Sequence, residues 1–333
     1  MADTRMPLRV IFVTGMHPTA ALPNRGVIIR RLAEAVRGRG HEVEVIDVGG
    51  DRGTVRYLAA RTRVKRAVRD RAPDLLHVHF GYSVLAVPRV SVPIVASFYG
   101  DDLNGTPAAA ERISLKSRIG TIASKWLAVR SRRCIVVSES MKDRMWEPLR
   151  DRTTVVRDAV DPGFFVARTR SDARARLGIE GEHPLVLFPH RSEDFNKRLW
   201  LAARAVEAVR EWVPEAQLWI VNGRPADEMP WYYAAADVLL VTSICEGGPS
   251  SAKEALSCGI PVVSVPVGDL QLASDAPEAV FLRAAAPEAL AEGLRAAFAV
   301  ATEPRRNRLP VNLTLCAAAK QVESIYYDAV TRL

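Results

Sequence analysis

Short runs of Val, Ile and Leu punctuate this chain, and segments with helical or polar patterning separate them. "LRVIFVTG" (Leu8 to Gly15), "HEVEVIDV", "DLLHVHFG", "VPIVASFYG" and "CIVVSES" form one series. "PLVLFPH" (Pro184 to His190), "QLWIVNG", "DVLLVTS", "IPVVSVPVG" and the short "AVFLRA" form a second. Compact β-branched runs that end in Gly, His or Ser are what strands buried on both faces look like. Between them, "VIIRRLAEAVRGRG", "KRLWLAARAVEAVREW", "MPWYYAAA" and "PEALAEGLRAAFA" carry apolar residues at helical spacing. The alternation predicts an α/β protein with two Rossmann-like, doubly wound parallel-sheet domains facing across a cleft. In such sheets ligands sit beyond the carboxyl ends of the strands, so the loops that follow each run are where chemistry is expected. The stretch "TTVVRDAVDPGFFVARTRSDARARLGI", with Pro and Gly near its middle, reads as the hinge. The predicted boundaries are 1–162, 163–311 and a last helix in 312–333 that packs back toward the first domain.

Length agrees with this division, since 333 residues exceed one ordinary core and suit two. "MADTRMPLRV" lacks the basic start and apolar core of a secretory signal, and no apolar run approaches the roughly 18 to 20 residues of a membrane span. A cytoplasmic protein is therefore expected. Cys134, Cys245, Cys258 and Cys316 show no CxxC spacing and read as reduced thiols. His77 and His79 alternate along one strand and share a face, yet no Cys, Asp or Glu at ligand spacing joins them, so core or site-lining histidines are expected and no metal.

Charge is more informative. Residues 1–160 hold 28 Lys and Arg against 16 Asp and Glu, an excess of 12, while the remainder is slightly acidic. Much of the excess lies in "RYLAARTRVKRAVRDRAP" and "LKSRIGTIASKWLAVRSRR", both at helical spacing with apolar residues interleaved. A solvated Arg-rich helix face is the plain reading. An anionic acceptor, or peripheral contact with an anionic membrane face, is the functional one. Nucleic acid is not expected, because neither zinc-finger spacing nor an RNP-like motif is present.

The most informative stretch is "CEGGPSSAKE", Cys245 to Glu254, between the runs "ADVLLVTS" and "IPVVSVPVG". Gly247 and Gly248 permit positive φ and close approach of a ligand. Pro249 suits a first helical position. Ser250 and Ser251 then fall in a first turn whose amides lack internal partners, a ready site for a diphosphate. Glu246 would repel a phosphate and suits sugar hydroxyls, whereas Glu254, further into the helix, suits the vicinal hydroxyls of a ribose. A capped helix with a helix-promoting glutamate is the alternative. A second rim loop, "FPHRSEDFNKRLW", carries Arg191 and Lys197, which could neutralise a departing diphosphate as a metal does elsewhere. Arg198 could replace Lys197 if the loop turns differently, and ordinary surface charge would explain all three taken alone.

These stretches together resemble the GT-B glycosyltransferases of family 4, the retaining, metal-independent group. Glu246 and Glu254 match the family's E-x7-E motif inside "TSICEGGPSSAKEALSCGIPVVSVPVGD", and "PDLLHVHFG", "IVVSESMKDRM" and "VVRDAVDPGFF" resemble other family segments, so the likeness covers nearly the whole chain. It implies a hexosyl or other glycosyl transferase that needs no cofactor beyond a nucleotide-diphosphate sugar, with a UDP-sugar as the first donor to test. It also implies that Glu246 contacts the donor sugar and Glu254 the ribose. Arg191, Lys197 and the amides of Gly247 to Ser251 would hold the diphosphate. Gly26 in "PNRGVIIRR" resembles the first-domain glycine loop near the donor phosphate, with Asn24 beside it on the acceptor side. Tyr99 stands where the family often has His, and Asp102 matches the family's Asp; both belong to the acceptor side. The hydroxyl acceptor would be a cell-envelope glycan, a lipid-linked compound or a secondary metabolite. The competing readings are a catalytically silent nucleotide-binding subunit of the same fold and a GT-B nucleotide-sugar epimerase. A nicotinamide oxidoreductase is disfavoured because "GMHPTAALPNRG" supplies no G-x-G-x-x-G after the first strand.

Overall fold

The structure, a computed structural model, describes residues 6–20, 22, 24–49, 55–104, 115–190, 193–270, 278–301 and 304–331. The chain divides into two compact units. The first contains β1 (Arg9–Thr14), α1 (Val27–Gly38), β2 (Glu42–Asp47), α2 (Val55–Arg71), β3 (Leu75–His79), β4 (Ile94–Phe98), α3 (Asp101–Asn104), α4 (Leu115–Arg130), β5 (Arg133–Val136), α5 (Glu139–Asp143), α6 (Glu147–Arg150) and β6 (Thr153–Val155). The second runs from Asp158 through α7 (Arg170–Leu177), β7 (Leu185–Phe188), α8 (Leu199–Val209), β8 (Gln217–Ile220), α9 (Met229–Ala235), β9 (Val238–Val241), α10 (Ser250–Ser257), β10 (Val262–Ser264), β11 (Val280–Leu282) and α11 (Pro287–Val300). The last helix, α12 (Leu315–Thr331), belongs to the first unit.

Every strand pair in both sheets is parallel. The first sheet has the order β2-β1-β3-β4-β5-β6 and the second β11-β10-β9-β7-β8. In each, the opening strand lies between its two successors, so the chain reverses its direction of winding beside that strand. The reversal leaves a crevice at the carboxyl ends of β1 and β3, and another at those of β7 and β9. Val, Ile, Leu and Phe fill the sheets because both faces are covered, Phe12, Val78 and Phe98 in the first unit and Phe188, Leu239 and Leu240 in the second.

Two local details differ from the sequence reading. Thr153–Val155, read there as part of the hinge, pairs with β5 (Cys134 beside Thr153) as a sixth strand at the sheet edge. Its Thr-Thr-Val composition suits a pleated edge better than a linker. Arg174, in the Arg-rich α7, is an interior anchor: 3% exposed, it donates to the carbonyls of Ala235, Gly181 and His183 and to Asp237.

Helix α12 packs against α1, β3 and β4. The Tyr326 hydroxyl is hydrogen-bonded to His77 Nδ1 at 2.6 Å, and Glu323 pairs with Arg39 and with His41 Nε2. His77 Nε2 meets Ser97 Oγ at 2.7 Å, so this fully buried imidazole has both nitrogens occupied by hydroxyls. Burial holds its pKa down at about 3, and it is a neutral packing element as expected.

Candidate active site

The crevice of the second sheet is built by the loops after β7 and β9. The Asp194 side chain accepts from Asn196 N at 3.0 Å and starts a single 3-10 turn, Phe195–Lys197. Arg198 follows in a left-handed conformation (φ 49°), and its guanidinium donates to the carbonyls of Thr242 and Ser243 at the end of β9. Arg198 is therefore committed to joining the loops and does not stand in for Lys197. Asn196 completes the lacing: its side chain donates to Cys245 O at 2.9 Å and accepts from Cys245 N at 3.1 Å, while its own carbonyl accepts from Ile244 N. These contacts bring Lys197 and Glu246 together as an ion pair, each side chain 17% exposed. Arg191 lies outside the described residues.

Beyond Glu246 the chain turns through Gly247 and Gly248 into α10. Neither glycine uses the positive φ that it permits. The need at Gly248 is space, because a Cβ there would lie 3.1 Å from Lys253 Nζ and 3.3 Å from Asp269 Oδ1. Those two groups form a buried pair at 2.7 Å with both side chains 1% exposed, and Lys253 Nζ also donates to Asp158 O at 2.8 Å. The left-handed residue is Gly268 (φ 60°), where a Cβ would lie 3.0 Å from Pro249 Cδ and 3.1 Å from Gly247 O. Pro249 is the N-cap and not the first helical residue, and its carbonyl accepts from Ala252 N. A capping residue needs an accepting carbonyl and no N–H, so proline serves there as well. Ser250 and Ser251 form the first turn as expected, and no intrahelical carbonyl can reach their amides. Glu254 lies on this helix, where one carboxylate oxygen accepts from the hydroxyl of the buried Tyr233 at 2.7 Å.

Five residues of this arrangement were not legible as site residues. Lys253, Asp269, Asn196 and Tyr233 act through partners distant in sequence. The fifth, His190, ends the run after β7 with its ring T-shaped to Phe188, and its Nε2 is buried without a hydrogen-bond partner among the described residues. Burial, and then the charge of Lys197, lower its pKa to about 3, so the imidazole is neutral. Ser243 Oγ is likewise buried without a partner among the described residues.

In the first unit, Gly26 caps α1 in the left-handed region (φ 64°). A Cβ there would lie 2.1 Å from the carbonyl oxygen of Met16, so no other residue fits this turn. Arg25 donates to Gly15 O at 2.7 Å and pairs with Asp47, and Asn24 is exposed on the same turn. Asp102 Oδ1 accepts from the amides of Tyr99 at 3.0 Å and Gly100 at 3.1 Å, shaping the turn after β4. The Tyr99 hydroxyl is hydrogen-bonded to Nδ1 of the buried His79 at 2.8 Å, and burial with the neighbouring His77 keeps His79 neutral. Among the described residues, no group of three or more His, Cys, Asp or Glu side chains is arranged to hold a metal ion. All four cysteines are free thiols, and burial pushes Cys134 and Cys258 up to about 12. No described helix is long and apolar enough to cross a membrane.

Comparison with known proteins places this geometry. Residues 47–164 match the family model described as Glycosyltransferase Family 4, and residues 191–299 match that described as Glycosyl transferases group 1. The chain is 24% identical over 272 residues to TuaC of Bacillus subtilis (strain 168), a protein named for teichuronic acid biosynthesis; the alignment spans 73% of this chain and 67% of that one. Its fold is similar to sucrose-phosphate synthase of Thermosynechococcus elongatus (TM-score 0.77, 17% identity, 99% of this chain and 100% of that one). It is also similar to HepE of Anabaena solved with UDP-glucose (TM-score 0.65, 16% identity, 98% and 100%). With two family models over its two halves and two parallel sheets of this order, the chain belongs to the family 4 glycosyltransferases and has the GT-B fold.

Proposed function

We propose that the protein is a cytoplasmic, retaining, metal-independent glycosyltransferase that uses a nucleotide-diphosphate sugar, a UDP-sugar first, and an anionic or lipid-linked hydroxyl acceptor. One observation carries the reading: Lys197 and Glu246 meet beside the open amides of α10, at the point where the second sheet reverses. A cation and unpaired amides suit the diphosphate, the carboxylate suits sugar hydroxyls, and Glu254, oriented by Tyr233, suits the ribose. Arg191 would add a second cation, and the two together would offset the charge on the leaving diphosphate. The structures of HepE with UDP-glucose support the choice of base. The naming of TuaC for teichuronic acid biosynthesis, together with the basic first unit, supports an anionic acceptor.

In the proposed reaction the anomeric C–O bond to the diphosphate breaks while the acceptor oxygen forms its bond on the same face. The acceptor proton passes to the departing phosphate oxygen, so no protein base is consumed. Glu246 and the α10 amides hold sugar and phosphate in place as charge develops. Tyr99 and Asp102, with Asn24, are assigned to the acceptor.

Calorimetric titration with UDP, GDP, dTDP, ADP and CDP in the presence of a chelator tests the donor site. One nucleotide is expected to bind and, at 100 times its dissociation constant, to stabilise the fold by about 2.7 kcal/mol. Binding of none by a folded protein overturns the donor reading and favours a silent subunit. An inverted anomer in the product, read by NMR, overturns the retaining mechanism.

A further inference from the structure

The later turns of α2 and the chain just before β4 form a groove of about 760 Å³ in the first unit. Arg63, Lys65, Arg66 and Arg69 line it from the helix, and Arg89 lines it from the loop. All five residues are exposed. Arg66 and Arg69 share one carboxylate, that of Asp70, which lies outside the lining. Among the described residues no carboxylate pairs with Arg63, Lys65 or Arg89. Further guanidinium groups crowd the same place. Arg130 donates to the carbonyls of Val87 and Pro88, and burial, then the charges of Arg61 and Arg89, lower its pKa. Like charges gathered in this way repel one another, and a cleft lined by one sign of charge concentrates ions of the other. The groove lies at the amino end of β4, about 15 Å, the length of that five-residue strand, from the edge where the first crevice opens. It is therefore not part of the crevice.

The lining selects the partner. Thr62 and Ser91 add hydroxyls, and Val68 and Val90, both half-buried, complete it. No aromatic ring is present in this lining, so single-stranded nucleic acid would meet cations without the stacking platforms it uses. No large apolar side chain stands out of it, so nothing there would enter an acyl layer. A lone phosphate would meet some of the five cations and leave the rest repelling one another. A linear polyanion meets them all. Along α2 the cations recur at three and four residues, Arg63 to Arg66 and Lys65 to Arg69, which sets them roughly 5 to 6 Å apart at Cβ. That spacing is on the scale of one sugar ring per charge. Carboxylates suit the guanidinium forks, and ring hydroxyls suit Thr62 and Ser91, whose hydroxyl oxygens accept as well as donate.

We propose that this groove holds an acidic glycan, a chain of sugar rings bearing carboxylates, at a subsite separate from the crevice. The inference rests on the reading of an anionic hydroxyl acceptor and extends it: the polymer is gripped along its length while its end reacts elsewhere. Calorimetry on the full chain with polygalacturonate, digalacturonate, dextran and a thymidine oligonucleotide tests it. Binding is expected with polygalacturonate and not with dextran, and it should weaken as salt rises. At equal carboxylate concentration the polymer should bind more tightly than digalacturonate, because one chain engages several cations at once. Lys65→Gln/Arg89→Gln should weaken polymer binding roughly tenfold while the thermal midpoint holds. Arg118→Gln/Lys125→Gln removes the same charge from the exposed side of α4, outside the groove, and should change binding less than about twofold. No binding of polygalacturonate at low salt, equal weakening by the two double variants, or tighter binding of the oligonucleotide overturns the proposal. Nucleotide titration separates this from the donor reading: a chain that binds polygalacturonate in the groove and no nucleotide overturns that reading and upholds the groove, and the reverse result overturns the groove alone.

Discussion

Lys197 with Glu246 and Lys253 with Asp269 are lysine–carboxylate pairs in two settings, Glu246 and Lys253 lying on one strand–turn–helix while their partners come from the loops after β7 and β10. Lys197 and Glu246 keep some contact with water, each side chain 17% exposed, and in the proposed reaction a substrate would replace either partner for the other. Lys253 and Asp269 are both 1% exposed, with Asp158 O as a further acceptor for the lysine. Removing two ions from water costs several kcal/mol each, offset only while both partners stay in place. The buried pair is therefore scaffold: it sits under Gly248 and fixes the turn that presents Glu246. The rim pair is the part that can exchange partners. Position in the turn matters less here than access to solvent.

The largest expected effect comes from breaking the buried pair. Lys253→Met leaves a buried carboxylate without its cation and should cost about 3–5 kcal/mol of stability by chemical denaturation. Lys253→Met/Asp269→Leu should recover most of it; a double variant no better than the single one would show that the pair is not acting as a unit. Glu246→Gln should lower transfer about a hundredfold or more, as loss of a group that holds the developing charge does, while changing stability by less than about 1 kcal/mol. Equal losses of activity and stability would erase the distinction between the two pairs.

Acid should sharpen the rim side of the comparison. His190 lies near Lys197 with its pKa lowered from 6.5 to about 3 by burial and then by that charge. As pH falls below 6.5 the unfolded chain takes up a proton that the folded imidazole refuses, so stability present above 6.5 is lost progressively toward 3. The loss should be about 1 kcal/mol from this group by pH 5.5, and His190→Gln should flatten that part of the profile. Tyr233→Phe is the mildest change. It removes the hydroxyl that orients Glu254 and should weaken nucleotide binding by about 1 kcal/mol, roughly fivefold, with transfer from bound donor unchanged. A larger loss in turnover than in binding would move Glu254 from the ribose to the reacting centre.

The strand series and the E-x7-E stretch were legible because each is a local pattern. A buried parallel strand must be apolar throughout, and a glycine turn into a helix must show small residues at the turn. What escaped was whatever depends on a partner elsewhere. Lys253 reads as one charged residue on a helix until Asp269 arrives from the loop after β10. Tyr233 reads as an apolar position in "MPWYYAAA" until its hydroxyl is found on Glu254. Asn196 is one polar residue among several in its loop, yet it pins both backbone groups of Cys245. Gly248 needs no positive φ; a Cβ there would crowd Lys253 and Asp269, a crowding that no local pattern displays. Thr153–Val155 was missed because three residues at a sheet edge carry too little periodicity to separate strand from linker.

The position of α12 bears on how the molecule is made. His77 needs the Tyr326 hydroxyl, and Arg39 and His41 need Glu323, yet residues 315–331 are synthesised after the whole second unit. At ribosomal rates the first unit waits on the order of 10 to 35 s for its closing helix. During that interval the His77 imidazole and a stripe of α1 face water or a chaperone. The second unit, whose own elements are all present by then, is free to fold first, reversing the order in which the two halves leave the ribosome.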